Sequence, residues 1–240
     1  MRHLCAGLLL LTGVFLINNV DAAEKTWTDE AELSFVSTNG NSKVTTLSAK
    51  NLLKVPFSER FSGSWKLQGL YGKTDGVKNA EAYMTEFRSD YAQTSRLFYF
   101  ASAGWFQDKF SGIDSRYVYG LGSGYKFFDG PKSFLVGEAG LTYTQEEDTA
   151  GNDNEYLGGR LFAQYAYLFN DANKFTQSIE YLPDFDDSKN WLFNSETALI
   201  SALNSNFSMK TAYLVKYDNQ PVAGLTKTDS IVSVALVANF

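Results

Sequence analysis

Histidine and cysteine are almost missing from this chain of 240 residues, which holds one of each, His3 and Cys5. Both fall in an N-terminal stretch, Met1 to Ala23, that reads as a secretory signal. Arg2 and His3 give a positive start, Leu4 to Ile17 an apolar core, and Val20-Asp21-Ala22 a small-residue site. Cleavage is expected after Ala22, with Ala23 as the competing position. Cys5 lacks the small-residue context of a lipoprotein site, so the processed chain, 23–240, is expected to carry neither thiol nor imidazole. That excludes disulfide stapling, and it excludes His as base, proton shuttle or metal ligand. Familiar hydrolases depend on such groups, so no enzyme, cofactor or metal centre is expected. Catalysis would be left to Ser, Thr, Lys, Asp or Glu, and a pair such as Glu86 and Asp90 is as readily explained as two charges on one strand face.

Positive charge is also scarce. Lys plus Arg number 21 against 27 Asp plus Glu, a net charge of −6, which offers no footprint for nucleic acid. Prolines number only 4, and beyond Ala23 no unbroken apolar run is long enough for a spanning helix. What is abundant is aromatic: 19 Phe, 14 Tyr and 4 Trp, beside 19 Gly. This is the composition of a β-rich chain. A membrane barrel alternates lipid-facing and interior residues, so its spanning segments do not show in average hydropathy.

The stretch Asp229 to Phe240 is the most telling. Val232, Val234, Leu236, Ala238 and Phe240 recur at every second position and so share one strand face, on a strand long enough to cross a bilayer obliquely. A terminal Phe preceded by alternating apolar residues resembles the C-terminal insertion signal of bacterial outer-membrane barrels. A buried edge strand of a soluble β-protein is the competing reading.

Upstream, about twelve alternating strands are expected. The first, Asp29 to Ser37, sets Ala31, Leu33 and Phe35 against Glu30, Glu32 and Ser34, and Asn39-Gly40-Asn41-Ser42 follows as a tight hairpin. The next run Lys43 to Val55, Phe61 to Lys73 (then a polar loop, Thr74 to Ala80), Glu81 to Thr94, and Arg96 to Asp108, which is apolar on both faces. Asp114 to Phe128, Ser133 to Gln145, an acidic loop Glu146 to Asn154, and a strand ending at Phe169 come next. A strand carrying Phe175, Ile179 and Tyr181 precedes Trp191 to Leu203, Phe207 to Tyr217 and the last strand. Short connections near 56–60, 94–96, 129–132, 170–173 and 204–206 alternate with ones read as mostly longer and more polar. With an exported N-terminus, that asymmetry puts short turns on the periplasmic side and longer loops outside. The hairpin at 39–42 is an exception.

Aromatic belts are expected at both interfaces. Tyr91, Tyr99, Phe127, Phe134, Tyr167, Phe169 and Phe175 fall on the periplasmic side, and Tyr71, Tyr83, Tyr143, Tyr156, Tyr181 and Trp191 on the outer. The alternative of a soluble sandwich or lipocalin-like barrel would leave many outward Tyr, Leu and Phe in water. The expected architecture is therefore all-β: one closed antiparallel transmembrane barrel over residues 23–240, after a signal peptide at 1–22.

Glu32 to Ser42, reading Glu-Leu-Ser-Phe-Val-Ser-Thr-Asn-Gly-Asn-Ser, followed by an alternating strand with Leu47, resembles the opening of a family of Gram-negative outer-membrane barrels known as domain of unknown function 481. Some members carry the label salt-induced outer membrane protein. The resemblance implies location and fold, with envelope or osmotic adaptation as a role. It brings no catalytic or binding residues with it.

Function must then come from the interior. Parity places Lys50, Lys54, Lys66, Arg88, Arg116, Arg160, Lys210 and Lys216 there, with Glu32, Glu86, Asp90, Glu138, Glu180 and Glu196. This near-balanced set has two readings, an ion-paired network with little or no conductance or a narrow channel for ions or small solutes. Twelve strands fall between filled eight-stranded barrels and open porins. Gly104, Gly120, Gly122, Gly124, Gly137, Gly140, Gly158 and Gly159 either allow bending and close packing or widen one side as a groove. Acidic groups at Glu146, Glu147, Asp148, Asp153 and Glu155, and at Asp184, Asp186 and Asp187, read first as a solvated anionic surface and second as Ca²⁺ or Mg²⁺ ligands. The expected partners are outer-membrane lipid and lipopolysaccharide, with periplasmic chaperones and the barrel-insertion machinery during biogenesis.

Overall fold

A computed structural model describes residues 27–38, 44–222 and 224–240. The signal segment and the hairpin at Asn39–Ser42 lie outside the described residues. Twelve strands follow one another: β1 (Thr28–Thr38), β2 (Val44–Pro56), β3 (Phe61–Thr74), β4 (Val77–Ala92), β5 (Leu97–Asp108) and β6 (Ile113–Asp129), then β7 (Ser133–Asp148), β8 (Asp153–Leu168), β9 (Asn173–Pro183), β10 (Trp191–Ala202), β11 (Phe207–Asp218) and β12 (Thr228–Asn239). Each pairs antiparallel with its neighbour in the chain, and β12 returns to β1, closing a barrel.

The two faces of every strand differ in a way that inverts a soluble protein. Leu121 (66 % exposed), Leu141 (64 %) and Val232 (72 %) look outward, while Glu138, Glu180, Glu196 and Lys210 are buried inside. Apolar side chains outside and paired charges inside is the pattern that a hydrocarbon surround stabilises. Tyr83, Tyr91, Tyr99, Phe127, Tyr167, Phe169 and Tyr181 are among the exposed aromatics. Trp65 stacks on Phe87, and Trp191 on Tyr217. Two expected belt residues turn inward instead. Phe134 is buried in an internal cluster, and Tyr156 shares the parity of Arg160 and faces the lumen.

The double apolar face of β5 has a clear cause. Tyr99 and Ala101 look out, while Phe98, Phe100 and Phe106 look in and are buried. The inner rings cover arginines from other strands, so both faces are apolar for different reasons.

The connections are tighter than the sequence suggests at two places. The loop expected at Thr74–Ala80 is a two-residue turn. Asp75 (φ 51°) and Gly76 (φ 81°) both adopt positive φ, the geometry whose twist matches a hairpin, and β4 starts at Val77. The acidic loop expected at Glu146–Asn154 shrinks to 149–152, because β7 and β8 continue pairing up to Glu147 with Asp153. Asp148 then caps its own turn, accepting from the backbone N–H groups of Ala150 and Asn152. The contrast between barrel ends therefore rests on the 184–190 and 219–227 connections. At the other end, Ser58, Thr94, Asn170 and Asn204 each accept a backbone N–H from two or three residues further along, holding those turns short.

Candidate functional site

The interior candidates converge into ion-paired groups because alternate residues of neighbouring strands share the inner face. The first group crosses the closure of the barrel. Lys210 on β11 places its Nζ 3.0 Å from Glu32 Oε2 on β1 and 2.9 Å from Glu196 Oε1 on β10. Lys50 on β2 completes it, 3.2 Å from Glu32 Oε1 and 4.0 Å from Glu196 Oε2. Two ammonium groups and two carboxylates thus alternate.

The second group reaches across the lumen. Arg88 on β4 donates through both Nη atoms to the two carboxylate oxygens of Glu138 on β7, at 3.0 and 2.8 Å. It also donates to Asp90 through Nη2, at 2.7 Å. Glu138 accepts again from Arg160 Nη1 at 2.6 Å, and Arg160 Nε donates to Glu180 at 2.7 Å. Asn194 finishes the chain by donating to Glu180 Oε2. Such forked pairs are short, oriented and stronger than neutral hydrogen bonds. Aromatic rings line them: the Arg88 guanidinium sits 4.2 Å from the Phe100 ring centre, and that of Arg160 lies 4.7 Å from Phe162.

A third pair joins Arg116 on β6 to Glu146 on β7. Lys66 stands in register with Glu86 on the adjacent strand, and Glu180 lies within its electrostatic reach from the far wall. Lys54 interacts with Glu30 and Asp90. Lys216 lies beside Asp229 and within reach of Asp108 on β5. All fourteen interior candidates named above, Glu32, Lys50, Lys54, Lys66, Glu86, Arg88, Asp90, Arg116, Glu138, Arg160, Glu180, Glu196, Lys210 and Lys216, are therefore placed on the inner face, each beside an opposite charge.

A cavity of about 160 Å³ lies beside Glu30, Lys174 and Lys210, toward the 170–173 turn. A cavity of about 70 Å³, lined by Phe100, Phe106, Arg116, Thr142 and Tyr156, lies on one side of the Arg88–Arg160 layer. Another of about 120 Å³, lined by Lys54, Ser64, Lys66 and Asp90, lies on the other. Both share Glu86, Arg88, Arg160 and Glu180, so the charged layer divides them. Each has room for a few waters.

The groove reading fails at Gly122 and Gly124, while Gly104 and Gly120 line the cavity of about 70 Å³. A Cβ on Gly122 would lie 2.5 Å from Phe100 Cζ, and one on Gly124 would lie 2.1 Å from Phe98 Cζ. At these two positions the space spared by glycine is filled by rings from β5, and the lumen gains no width there. The acidic groups outside work locally: Asp184 accepts from the backbone of Asp186 and from the Asn190 amide. Among the described residues, no cluster of three or more acidic, His or Cys side chains is arranged to hold a metal.

Sequence reasoning missed the aromatic slab of Phe98, Phe100 and Phe162, and it missed Glu146 as the partner of Arg116. The double apolar face at 96–108 was the available signal for the slab. The five apolar members of the last strand divide as follows: Val232, Val234, Leu236 and Phe240 are exposed on the outer face, and Ala238 is half-buried. The backbone of Phe240 exchanges two hydrogen bonds with Asp29.

Comparison with known proteins gives fold and family. The chain is 28 % identical over 204 residues to the uncharacterized protein YdiY of Escherichia coli (strain K12), covering 83 % of this chain and 77 % of that one. Its fold is similar to the COG4313 outer membrane channel from Pseudomonas putida F1, with a TM-score of 0.55, 10 % identity and coverage of 95 % and 100 % of the two chains. It is also similar to the NanC porin, with a TM-score of 0.53, 9 % identity and coverage of 88 % and 97 %. The translocator domain of the autotransporter NalP from Neisseria meningitidis gives a TM-score of 0.51 at 11 % identity, covering 92 % and 90 %. At such identities these structures inform the fold alone. Residues 31–240 match the family model described as protein of unknown function, DUF481, and the chain belongs to that family.

Proposed function

We propose that this protein is a barrel of the Gram-negative outer membrane, exported by a cleaved signal peptide, whose interior is closed by ion pairs. In this reading it serves the envelope as a wall component, with little or no conductance, and contributes to adaptation under osmotic stress. The observation that carries the proposal is the Asp90–Arg88–Glu138–Arg160–Glu180 chain, which draws β4, β7, β8 and β9 together across the lumen and divides its free space. Its three carboxylates outnumber its two guanidiniums by one, and Lys54 near Asp90 with Lys66 between Glu86 and Glu180 makes up the balance, so no uncompensated charge of one sign is offered to a passing ion. Lipid and lipopolysaccharide surround the wall, and chaperones and the insertion machinery deliver it. No catalytic step is proposed.

A second reading, a narrow channel, draws on the neighbours described as porin and outer membrane channel. One feature of the lumen favours it: the dividing layer is built from side chains, with a cavity on each side. Single-channel recording in planar bilayers separates the two. Silence from a heat-modifiable, folded barrel supports closure. Discrete steps, cut off by neutral polymers above a size limit, overturn it in favour of the channel.

A further inference from the structure

At the outer end of the β3–β4 hairpin two lysines stand opposite one another. Lys73 and Lys78 are register partners on neighbouring strands, and a shift in register makes them so: Gly72 pairs with Ala80, Lys73 with Lys78, and Asn79 is the extra residue. Without that bulge Lys73 would face Asn79. A bulge re-aims a side chain in this way, and Asn79 is engaged elsewhere, its Nδ2 donating to Thr74 Oγ1 at 2.9 Å.

Like charges directly opposite on adjacent strands are destabilising. Here both ammonium groups converge on one ring, Lys73 Nζ at 5.4 Å and Lys78 Nζ at 5.8 Å from the centre of Tyr71. Glu81 answers only one of them. It accepts from Lys78 Nζ at 2.9 Å and from the Tyr83 hydroxyl at 3.2 Å. Among the described residues, no carboxylate lies within ion-pair distance of Lys73, and both lysines are exposed. A ring face attracts an ammonium group but leaves its N–H donors available to an anion.

The pair sits on the outside of the wall. Lys73 lies two residues from Tyr71 on the same strand face, and Tyr71 is in register with Leu47 and Leu47 with Phe35, both exposed. Lys109, on the next hairpin, bonds to Asp114 at 3.4 Å and also lies within electrostatic reach of Glu81. Asp75 stands at the tip of the turn itself. Elsewhere at this end of the barrel the exposed charges include Asp153, Glu155, Asp186 and Asp187, so the lysine pair is a local positive spot on an acidic rim.

We propose that Lys73 and Lys78, beside the Tyr71 ring, form a site for the phosphate of an outer-leaflet glycolipid, the lipid A part of lipopolysaccharide. The inference rests on the reading of this chain as an outer-membrane barrel, and names where its lipid is held. A phosphate monoester carries close to two negative charges at neutral pH, enough for one group to answer both lysines. Lysine meets phosphate as a point charge and needs no fork geometry. Tyrosines of a barrel wall mark the interfacial level, where the headgroups of the leaflet lie. Exposed ion pairs are individually weak in water. A phosphate anchored by acyl chains beside Leu47 and Phe35 is presented at high effective concentration, which a free anion is not.

The test uses protein purified from membranes after export and stripped of lipid in detergent. Native mass spectrometry compares retention of bisphosphorylated lipid A with that of the same lipid lacking its phosphates. A several-fold preference for the phosphorylated form, lost in Lys73→Gln with Lys78→Gln, supports the site. Equal retention of the two lipids by the unmodified protein, or an unchanged preference in the double variant, overturns it. Arg96→Gln with Lys132→Gln removes two exposed charges from the periplasmic turns and should leave the preference intact. A matching loss there would show that overall charge holds the lipid, and overturns the assignment. Displacement of lipid A by millimolar inorganic phosphate would assign the pair to a free anion and likewise overturn it. Tryptophan fluorescence, to which the exposed Trp65 of the outer wall contributes, separates this site from the reading beneath it. Quenching by brominated acyl chains in vesicles, without a phosphate preference, removes the site alone, whereas no quenching removes the membrane reading itself. Heat-modifiable migration confirms that each variant is folded.

Discussion

The ring of Phe100 rests on Gly122, its register partner on β6, so closely that a Cβ there would fall 2.5 Å from Phe100 Cζ. The same ring lies 4.2 Å from the guanidinium of Arg88. Glycine, ring and cation are therefore one packed stack, in which a change at the first is felt at the third. Gly122→Val is expected to cost about 1–3 kcal/mol by overpacking. Adding Phe100→Ala should recover part of that loss, since the clash with the ring goes while that with the Ala139 carbonyl oxygen, also at 2.5 Å, stays. Urea unfolding of the single and double variants measures the coupling, and strict additivity would show that the two residues do not share the stack.

Glu138 accepts three hydrogen bonds from two arginines. It binds Arg88 through both oxygens and Arg160 through one, with its side chain 1 % exposed. Buried ion pairs add little net stability over an apolar substitute, but removing one partner strands the others. Glu138→Ala should therefore destabilise by about 3–5 kcal/mol. A variant that also replaces Arg88 and Arg160 by Met, with Asp90→Asn and Glu180→Gln so that no carboxylate is stranded, should be less destabilised than the single change. The unfolding midpoint in urea gives the comparison.

The fold was legible because a barrel writes its two environments into one period of two. Glu86, Arg88 and Asp90 at alternate positions could not meet lipid, and parity alone put them inside. The turn at 75–76 was hidden because Thr74 to Ala80 is mostly polar, and only Asp75-Gly76 marks a hairpin in it. Glu146 escaped notice because an acidic run reads as loop, whereas in the barrel it supplies the counter-charge to Arg116 from the next strand. Which carboxylate answers which arginine depends on barrel tilt and closure. Arg88 and Glu138 are 50 residues apart, and no local pattern links them. The shortness of the β1–β12 ladder, four register pairs, was equally invisible, since both strands alternate well enough to pair along their full lengths.

Conductance should follow the dividing layer. Replacing Arg88, Glu138 and Arg160 together by Ala removes the side chains that separate the two cavities, and Asp90 and Glu180, which lose their arginines, keep Lys54 and Lys66 within reach. Discrete steps are expected from this variant in planar bilayers, where the unmodified barrel stays silent. If the triple variant is folded and also silent, closure lies elsewhere, for example at the Glu32–Lys50–Glu196–Lys210 group.

The last residue separates a structural role from a biogenesis signal. Phe240 donates its backbone N–H to the Asp29 carbonyl at 2.9 Å and accepts from the Asp29 N–H at 3.0 Å, closing the barrel at its base. Its ring, 63 % exposed, plays no part in those bonds. Phe240→Ala should therefore leave the urea midpoint of barrels refolded in vitro nearly unchanged, within about 0.5 kcal/mol, as expected for a surface change. If the ring is read during insertion, along with Val232, Val234 and Leu236, the same variant should assemble several-fold less well in cells, scored as heat-modifiable protein in the membrane fraction. Deleting Phe240 removes both backbone bonds from a seam with only four register pairs, and should lower both quantities. Equal losses in vitro and in cells for Phe240→Ala would mean that the ring acts by stabilising the barrel, and would remove the case for a signal.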